Sequence, residues 1–270
     1  MIDLRNLSQM RGLLSTVTDI ARSAGSEIVK IYTHGFEVAR KSDKSPLTTA
    51  DLASHDFILN ALQRFTPEIP VLSEESKRIP FKTRAAWRCH WLVDPLDGTK
   101  EFIKRNDEFT VNIALIHETR SVLGVVYAPV KRVCYFACQG QGAYRQTADS
   151  SAMRIRTRGS STERLIVVGS RSHANAQLGA FLDRLPSYEI IRMGSALKFC
   201  VVAEGSADLY PRFGPTSEWD TAAAHCIVEE AGACMTDLHR QALRYNIKES
   251  LENPAFVVCG DCDFDWSVYI

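Results

Sequence analysis

A short apolar run, Trp91-Leu92-Val93, leads straight into Asp94-Pro95-Leu96-Asp97-Gly98-Thr99, and no other stretch constrains the chain as tightly. The apolar residues read as the end of a buried strand. Pro95 offers no backbone donor and fixes its own φ, so the strand is expected to stop there. Asp94 and Asp97 then flank a tight turn, Gly98 lets the backbone approach a ligand, and Thr99 adds a hydroxyl. Two carboxylates held together repel each other unless a cation lies between them. A hard divalent ion such as Mg²⁺ takes oxygens at roughly 2.0–2.1 Å and completes its shell with water and phosphate oxygens. Carboxylates, a carbonyl and a hydroxyl on a flexible turn therefore suit a metal-assisted phosphate site. An ordinary acidic turn uses the same residue types, because Asp, Pro and Gly favour turns on their own account.

The rest of the chain supplies further acids in suggestive places. Residues 8–32 carry Leu13, Leu14, Val17, Ile20, Ala21, Ala24, Ile28 and Ile31 at helical spacing, which predicts a packing helix. Residues 40–46 are polar and read as a loop. A second helix is expected from Pro46 to about Phe65, capped by Thr48 or Thr49, with Asp51 in its first turn where the dipole favours an anion. Ile69-Pro70-Val71-Leu72-Ser73 then runs as a short strand into Glu74 and Glu75. Neighbouring side chains on an extended chain point opposite ways, so at most one of these two acids faces any metal. Residues 76–88 read as a polar flap. Short alternating runs from Phe109 to Arg145 predict an antiparallel meander.

Polar residues 146–161 change the texture, and we place a domain boundary near 150, giving units 1–150 and 151–270. The second unit alternates strand and helix, which favours ligands at the carboxyl ends of strands. Thr216-Ser217-Glu218-Trp219-Asp220 precedes a small apolar helix that must be buried. Asp220 therefore sits at a buried helix start, where a carboxylate needs the positive helix end or a metal as partner.

Lys plus Arg and Asp plus Glu both number 32, so no global basic field argues for a nucleic-acid partner. The charged residues near Met1 do not fit a signal peptide, and no apolar run approaches the ~18 residues of a membrane span. The eight cysteines lie mostly among apolar neighbours and are expected as buried free thiols of a reducing cytosol. Cys259-Gly260-Asp261-Cys262 has the spacing of a redox pair or half a zinc site, but no second metal-spaced pair supports zinc. Nothing in the sequence specifies an oligomeric state.

Asp94 to Thr99 resembles the signature of the inositol monophosphatase superfamily. The extension Thr99-Lys100-Glu101-Phe102-Ile103, followed by Asn106, Glu108 and Phe109-Thr110-Val111-Asn112-Ile113-Ala114, resembles its 3'(2'),5'-bisphosphate nucleotidase (CysQ-type) branch. The resemblance runs from about Ser45 to about Asn253. Pro46 to Asp51 matches the family's P-x-T-x-A-D pattern, and Trp219-Asp220 matches its second signature.

The resemblance implies a layered αβαβα sandwich. It implies two or three Mg²⁺ ions held by Glu74, Asp94, Asp97, Asp220 and the Leu96 carbonyl. It assigns Glu74, Thr99 and Asp51 to catalysis, Asp51 through the Thr99 hydroxyl. Substrate would touch Glu74, Leu96, Asp97, Gly98, Thr99 and Asp220, and further Arg171, His173, Ser195 and Lys198. Helix caps and a surface loop account equally well for those last four residues taken singly. The implied reaction converts adenosine 3',5'-bisphosphate, a small nucleotide, to AMP and phosphate, with its sulfated analogue as a further substrate. Li⁺ sensitivity and a place in sulfate assimilation come with the branch, as does a cytoplasmic setting with association at the inner face of the membrane. Alternatives are an inositol monophosphatase, a fructose bisphosphatase, and a nucleotide-binding sensor without catalysis.

Overall fold

The computed structural model describes residues 6–40, 45–159, 164–171 and 176–270. Helix α1 (Leu7–His34) begins at Asn6, whose side chain accepts from the Gln9 N–H, and ends at Gly35 with φ 105°. Its stripe of Met10, Leu13, Leu14, Val17, Ala21, Ala24 and Ile28 is buried. Strands β1 (Val38–Arg40) and β2 (Pro46–Thr48) pair as an antiparallel ribbon, so both ends of the expected 40–46 loop are strand. Residues 41–44 lie outside the described residues. Helix α2 (Thr49–Phe65) packs beside α1.

Strand β3 (Val71–Ser73) is followed by a short helix α3 (Phe81–Arg84) where a polar flap was expected. Arg84 corrects that expectation. It is 1% exposed and donates to Asn246 Oδ1 and to the Lys248 and Glu249 carbonyls, which ties this segment to the distant 246–249 stretch. Strand β4 (Cys89–Asp97) leads into helix α4 (Thr99–Ile103). Strands β5 (Thr110–His117), β6 (Arg120–Ala128), β7 (Val133–Cys138), β8 (Ala143–Thr147) and β9 (Met153–Ile155) form the meander. The resulting seven-stranded sheet has the order β3-β4-β5-β6-β7-β8-β9, antiparallel except between β3 and β4. Strand β9 belongs to this sheet, so the strands change sheet between Ile155 and Leu165.

The second sheet uses β10 (Leu165–Ser170), then helix α5 (Ala176–Arg184), β11 (Tyr188–Met193), helix α6 (Leu197–Ala203) and β12 (Leu209–Arg212). Helix α7 (Glu218–Ala231) comes next, then β13 (Cys234–Asp237), β14 (Phe256–Cys259) and a closing 3₁₀ turn at Trp266–Tyr269. The order is β11-β10-β12-β14-β13. β10 runs parallel to β11 and β12, whereas β14 inserts antiparallel between β12 and β13.

Three apolar cores stack these elements into αβαβα layers. Helices α1 and α2 cover one face of the large sheet. Helices α6 and α7 fill the space between the sheets. Helix α5 and the 3₁₀ turn cover the outer face of the small sheet. β5 is buried at every position but its last, because both its faces are covered. Residue size decides the central contact: a Cβ on Gly124 of β6 would lie 2.0 Å from the Ala223 carbonyl oxygen of α7, so the helix backbone rests directly on the strand.

Two cysteines depart from the expected free thiols. Cys234 and Cys262 form a disulfide, while Cys89, Cys134, Cys138, Cys200, Cys226 and Cys259 are free. Cys262 is thus paired across space rather than within its C-x-x-C, because the turn after β14 carries it to the start of β13. Among the described residues no helix is long and apolar enough to cross a membrane.

Candidate active site

β4 does not stop at Pro95. Its ladder to β5 continues through a bulge: Asp94 faces Asn112 and Asp97 faces Thr110, with one extra residue on the β4 side. A missing N–H is tolerated at a bulge, which is why proline fits there. The Pro95 carbonyl accepts from the Ser54 hydroxyl at 2.8 Å, and Ser54 is fully buried on α2. The Leu96 N–H turns back onto Asp94 Oδ1 at 3.1 Å. Gly98 comes next with φ 92°, where a Cβ would lie 3.1 Å from the Glu108 carbonyl oxygen. Thr99 then opens α4.

This bulge brings the two aspartates to acids from three other elements. One oxygen each from Glu74, Asp94 and Asp220 lie within 4.8 Å of one another. Glu74 is placed at the end of β3 by its N–H on the Val93 carbonyl, 3.1 Å away. Asp220 arrives on the first turn of α7, its Oδ2 accepting from the Ser217 N–H at 2.8 Å. Asp97 stands beside the three, accepting from Asn112 Nδ2 at 3.3 Å. Asp51, on α2, accepts from Thr99 Oγ1 at 3.2 Å.

Beyond the effect of burial, the carboxyls raise one another's pKa values. Burial, and then the charges of Glu74, Asp97, Asp220 and Asp51, push the Asp94 carboxyl well above its ordinary range. Burial and the Asp97 charge raise Asp220 to about 7, against the Ser217 N–H and Arg212. Burial also raises Asp97, to about 6, although Lys198, Asn112 and the Ala196 N–H all pull it down. Converging carboxylates out of water are costly without compensating positive charge. An all-oxygen set of this kind suits a hard divalent cation rather than a soft one. The donors thus fit such an ion.

A cleft of about 250 Å³ opens above the acids. Glu74, Asp97, Gly98, Thr99 and Asp220 line it together with Ser195, Lys198, Tyr210 and Arg212. Lys198 is buried, with Nζ donating to the Ser195 carbonyl at 2.5 Å. Burial lowers its pKa while the Asp97 charge acts to raise it. Arg171 is not among the lining residues; its guanidinium is engaged by Glu108. His173 lies outside the described residues.

Sequence reasoning missed Arg212, Glu108 and Ser54. Arg212 reaches the cleft from the end of β12, with Nη2 on the Pro215 carbonyl at 2.9 Å and a buried Nε that has no partner among the described residues. An arginine directly after Leu209-Tyr210-Pro211, at the carboxyl end of an apolar strand, was the available signal. Nothing local marks Ser54, because its partner lies 41 positions away.

Comparison with known proteins places the fold and the family. The profile described as "Inositol monophosphatase family" matches residues 9–260. A Salmonella typhimurium protein named 3'(2'),5'-bisphosphate nucleotidase CysQ is 49% identical over 91% of this chain and 99% of its own. Its Escherichia coli namesake is 47% identical over the same shares. The crystal structure of CysQ from Bacteroides thetaiotaomicron superposes with a TM-score of 0.80 at 40% identity, covering 94% of this chain and 98% of that one. An inositol monophosphatase structure from Thermotoga maritima, 24% identical, has a TM-score of 0.77 over 92% of each chain and shares the fold.

Proposed function

Because the chain belongs to the inositol monophosphatase family, we propose that it is a divalent-metal-dependent phosphatase acting on the 3'-phosphate of adenosine 3',5'-bisphosphate. Water is consumed, and AMP and inorganic phosphate are the products. The 3'-phosphate of the sulfated analogue is a second candidate substrate. One observation carries the reading: a single cleft lined both by converging carboxylates and by two basic side chains, Lys198 and Arg212. A bisphosphate nucleotide has a second phosphate for those cations, whereas a monophosphorylated sugar does not. The names of relatives at 47–49% identity support the same substrate.

Glu74, Asp94, Asp97, Asp220 and the Leu96 carbonyl are the proposed ligands of two or three Mg²⁺ ions. Bound there, such ions would polarise the phosphoryl group and make water nucleophilic near neutral pH. Thr99 donates its proton to Asp51, which leaves an oxygen lone pair able to accept from an attacking water. Glu74, which also lines the cleft, is the proposed second acceptor for that water. The Gly98 and Thr99 amides lie at the turn into α4 and are the proposed donors to phosphate oxygens. Ser195 and Lys198 hold the remote part of the nucleotide, so binding energy there keeps the scissile phosphate in place. The proposed setting is the cytoplasm, with peripheral attachment to the membrane as an accessory. The Cys234–Cys262 disulfide puts that setting at risk, since a reducing cytosol keeps such pairs as thiols. Thiol counting on protein quenched inside cells tests it.

The decisive test compares phosphate release from adenosine 3',5'-bisphosphate, inositol 1-phosphate and fructose 1,6-bisphosphate, each with Mg²⁺. The bisphosphate nucleotide is expected to give the highest kcat/KM. A higher value for inositol phosphate would move the chain to the inositol branch, and no turnover of any of the three would favour a sensor. Lys198→Ala should weaken catalysis on the nucleotide more than on p-nitrophenyl phosphate, which has no remote phosphate.

A further inference from the structure

Glu108 ties the segment before β5 to Arg171 and to Gly194, which lines the cleft. It is 8% exposed, on the turn between α4 and β5. Its Oε2 accepts from Arg171 Nε at 2.8 Å and from the Gly194 N–H at 2.9 Å, while Oε1 accepts from Arg171 Nη2 at 2.9 Å. Two parallel N–H···O bonds between a guanidinium and a carboxylate form the strong, directional version of an ion pair. Arg171 Nη2 also reaches the Arg192 carbonyl at 2.8 Å, so the pair closes over the ends of β10 and β11.

The turn that presents Glu108 is itself fixed. Its own N–H donates to Asn106 Oδ1, and the neighbouring Asp107 accepts from the Tyr32 hydroxyl at 2.8 Å. The Glu108 backbone is equally confined. Its carbonyl oxygen would lie 2.8 Å from a Cβ on Gly194 and 3.1 Å from one on Gly98. The D-P-L-D-G-T loop, Glu108 and the start of the 194–198 segment thus touch backbone to backbone.

The residues after Gly194 give the contact its consequence. Ser195 turns through a left-handed φ of 48°, the Ala196 N–H bonds the Asp97 carboxylate, and Lys198 lies close enough for its charge to act on Asp97. Glu108 therefore anchors the first residue of a segment whose next residues meet Asp97 and line the cleft.

We propose that Glu108 and Arg171 form a latch seating the 194–198 segment on the Asp94–Thr99 loop, with Arg171 acting through Glu108 rather than on the substrate. Both are positioning residues. The inference deepens the functional reading above, because it rests on Ser195 and Lys198 meeting the nucleotide. It replaces the expectation that Arg171 is itself a phosphate-binding cation.

A double-mutant cycle tests it. Glu108→Gln, Arg171→Gln and the double variant are assayed on adenosine 3',5'-bisphosphate and on p-nitrophenyl phosphate, alongside the milder Arg171→Lys. Each single change should raise KM for the nucleotide about tenfold with kcat nearly unchanged, and the double variant should be no worse than either, as for groups acting as one unit. Arg171→Lys, which keeps the charge but loses the fork, should fall between wild type and Arg171→Gln. On p-nitrophenyl phosphate, which does not reach Ser195 and Lys198, the loss should be clearly smaller than on the nucleotide. If Arg171→Gln multiplies the loss already caused by Glu108→Gln, Arg171 touches substrate directly and the latch is overturned. An unchanged nucleotide KM in Glu108→Gln overturns it equally. A wild type that prefers inositol phosphate would instead sink the substrate reading, and the cycle run on that sugar would still have to show the same non-additivity.

Discussion

Helix α2 is capped by Thr48 and α7 by Ser217, and in both the third helical residue is an aspartate whose carboxylate reaches back to the N-cap N–H. Local structure is nearly the same; the use made of it is not. Asp51 is surrounded by donors. Its Oδ2 takes the Thr48 N–H at 2.7 Å and the Thr48 hydroxyl at 2.5 Å, and its Oδ1 takes Thr99. Asp220 gives only Oδ2 to its cap, and the carboxylate keeps a place within 4.8 Å of Glu74 and Asp94. One capping box leaves its carboxylate saturated and fit to orient a hydroxyl. The other leaves an oxygen free of the cap, where negative charge accumulates. A helix start supplies placement and a favourable dipole; the groups that enter the space in front of it decide the chemistry.

The sharpest way to break the comparison is to neutralise each aspartate in turn. Asp220→Asn keeps the shape and the cap but removes one of the converging charges. Turnover should fall on the order of 10³-fold, since metal polarisation is worth several kcal/mol. Mg²⁺ or Mn²⁺ affinity measured by calorimetry should weaken with it. The metal-free protein should melt higher than wild type, because buried like charges are relieved. Unchanged metal affinity would remove Asp220 from the ligand set.

Asp51→Asn should behave differently on every count. Turnover should drop roughly 10–100-fold, the usual effect of losing a partner that orients a first-contact group. Metal affinity should stay near wild type, and the melting temperature should fall rather than rise, because the amide cannot accept from all the donors that Asp51 satisfies. A loss of metal affinity as large as that of Asp220→Asn would erase the distinction between the two boxes.

Sequence reading located both aspartates, but only the resemblance separated their roles, Asp51 with the Thr99 hydroxyl and Asp220 with the metal; the local pattern did not, and the reason is physical. The 3.6-residue period and the capping pattern are local, so α1, α2, α7 and the meander were legible from spacing alone. Asp94 and Asp97 stood out as paired acids after an apolar run, a pattern that an ordinary turn shares, and it was the resemblance that selected Glu74 over Glu75. The contacts that assign roles are long-range. Ser54 meets Pro95, Glu108 meets Arg171 and Gly194, and Cys234 meets Cys262 across 28 positions. No local pattern encodes those pairings. The same limit hid the bulge at Pro95, where the proline predicted a strand end. The chain instead kept its ladder by adding one residue, with a buried serine to satisfy the stranded carbonyl.

The smallest expected difference lies in the caps themselves. Thr48 Oγ1 accepts from the Ala50 N–H at 3.2 Å and donates to Asp51, so its hydroxyl takes part in both directions. At α7 the Asp220 N–H also reaches the Ser217 carbonyl at 3.1 Å, while Asp220 Oδ2 accepts from the Ser217 N–H at 2.8 Å. Thr48→Ala should therefore cost about 1 kcal/mol of stability, the ordinary value for a lost N-cap. Ser217→Ala should cost less, about 0.5 kcal/mol at the lower end for a lost cap, because Asp220 still reaches back to the N-cap N–H. Urea denaturation of the metal-free protein reads both as shifts in midpoint at constant slope. Thr48→Ala should also lower turnover modestly, because a carboxylate freed from Thr48 holds the Thr99 hydroxyl less firmly. Ser217→Ala should leave turnover alone. Equal midpoint shifts would mean that the two boxes are closed in the same way, and that the difference between Asp51 and Asp220 comes entirely from the loop they face.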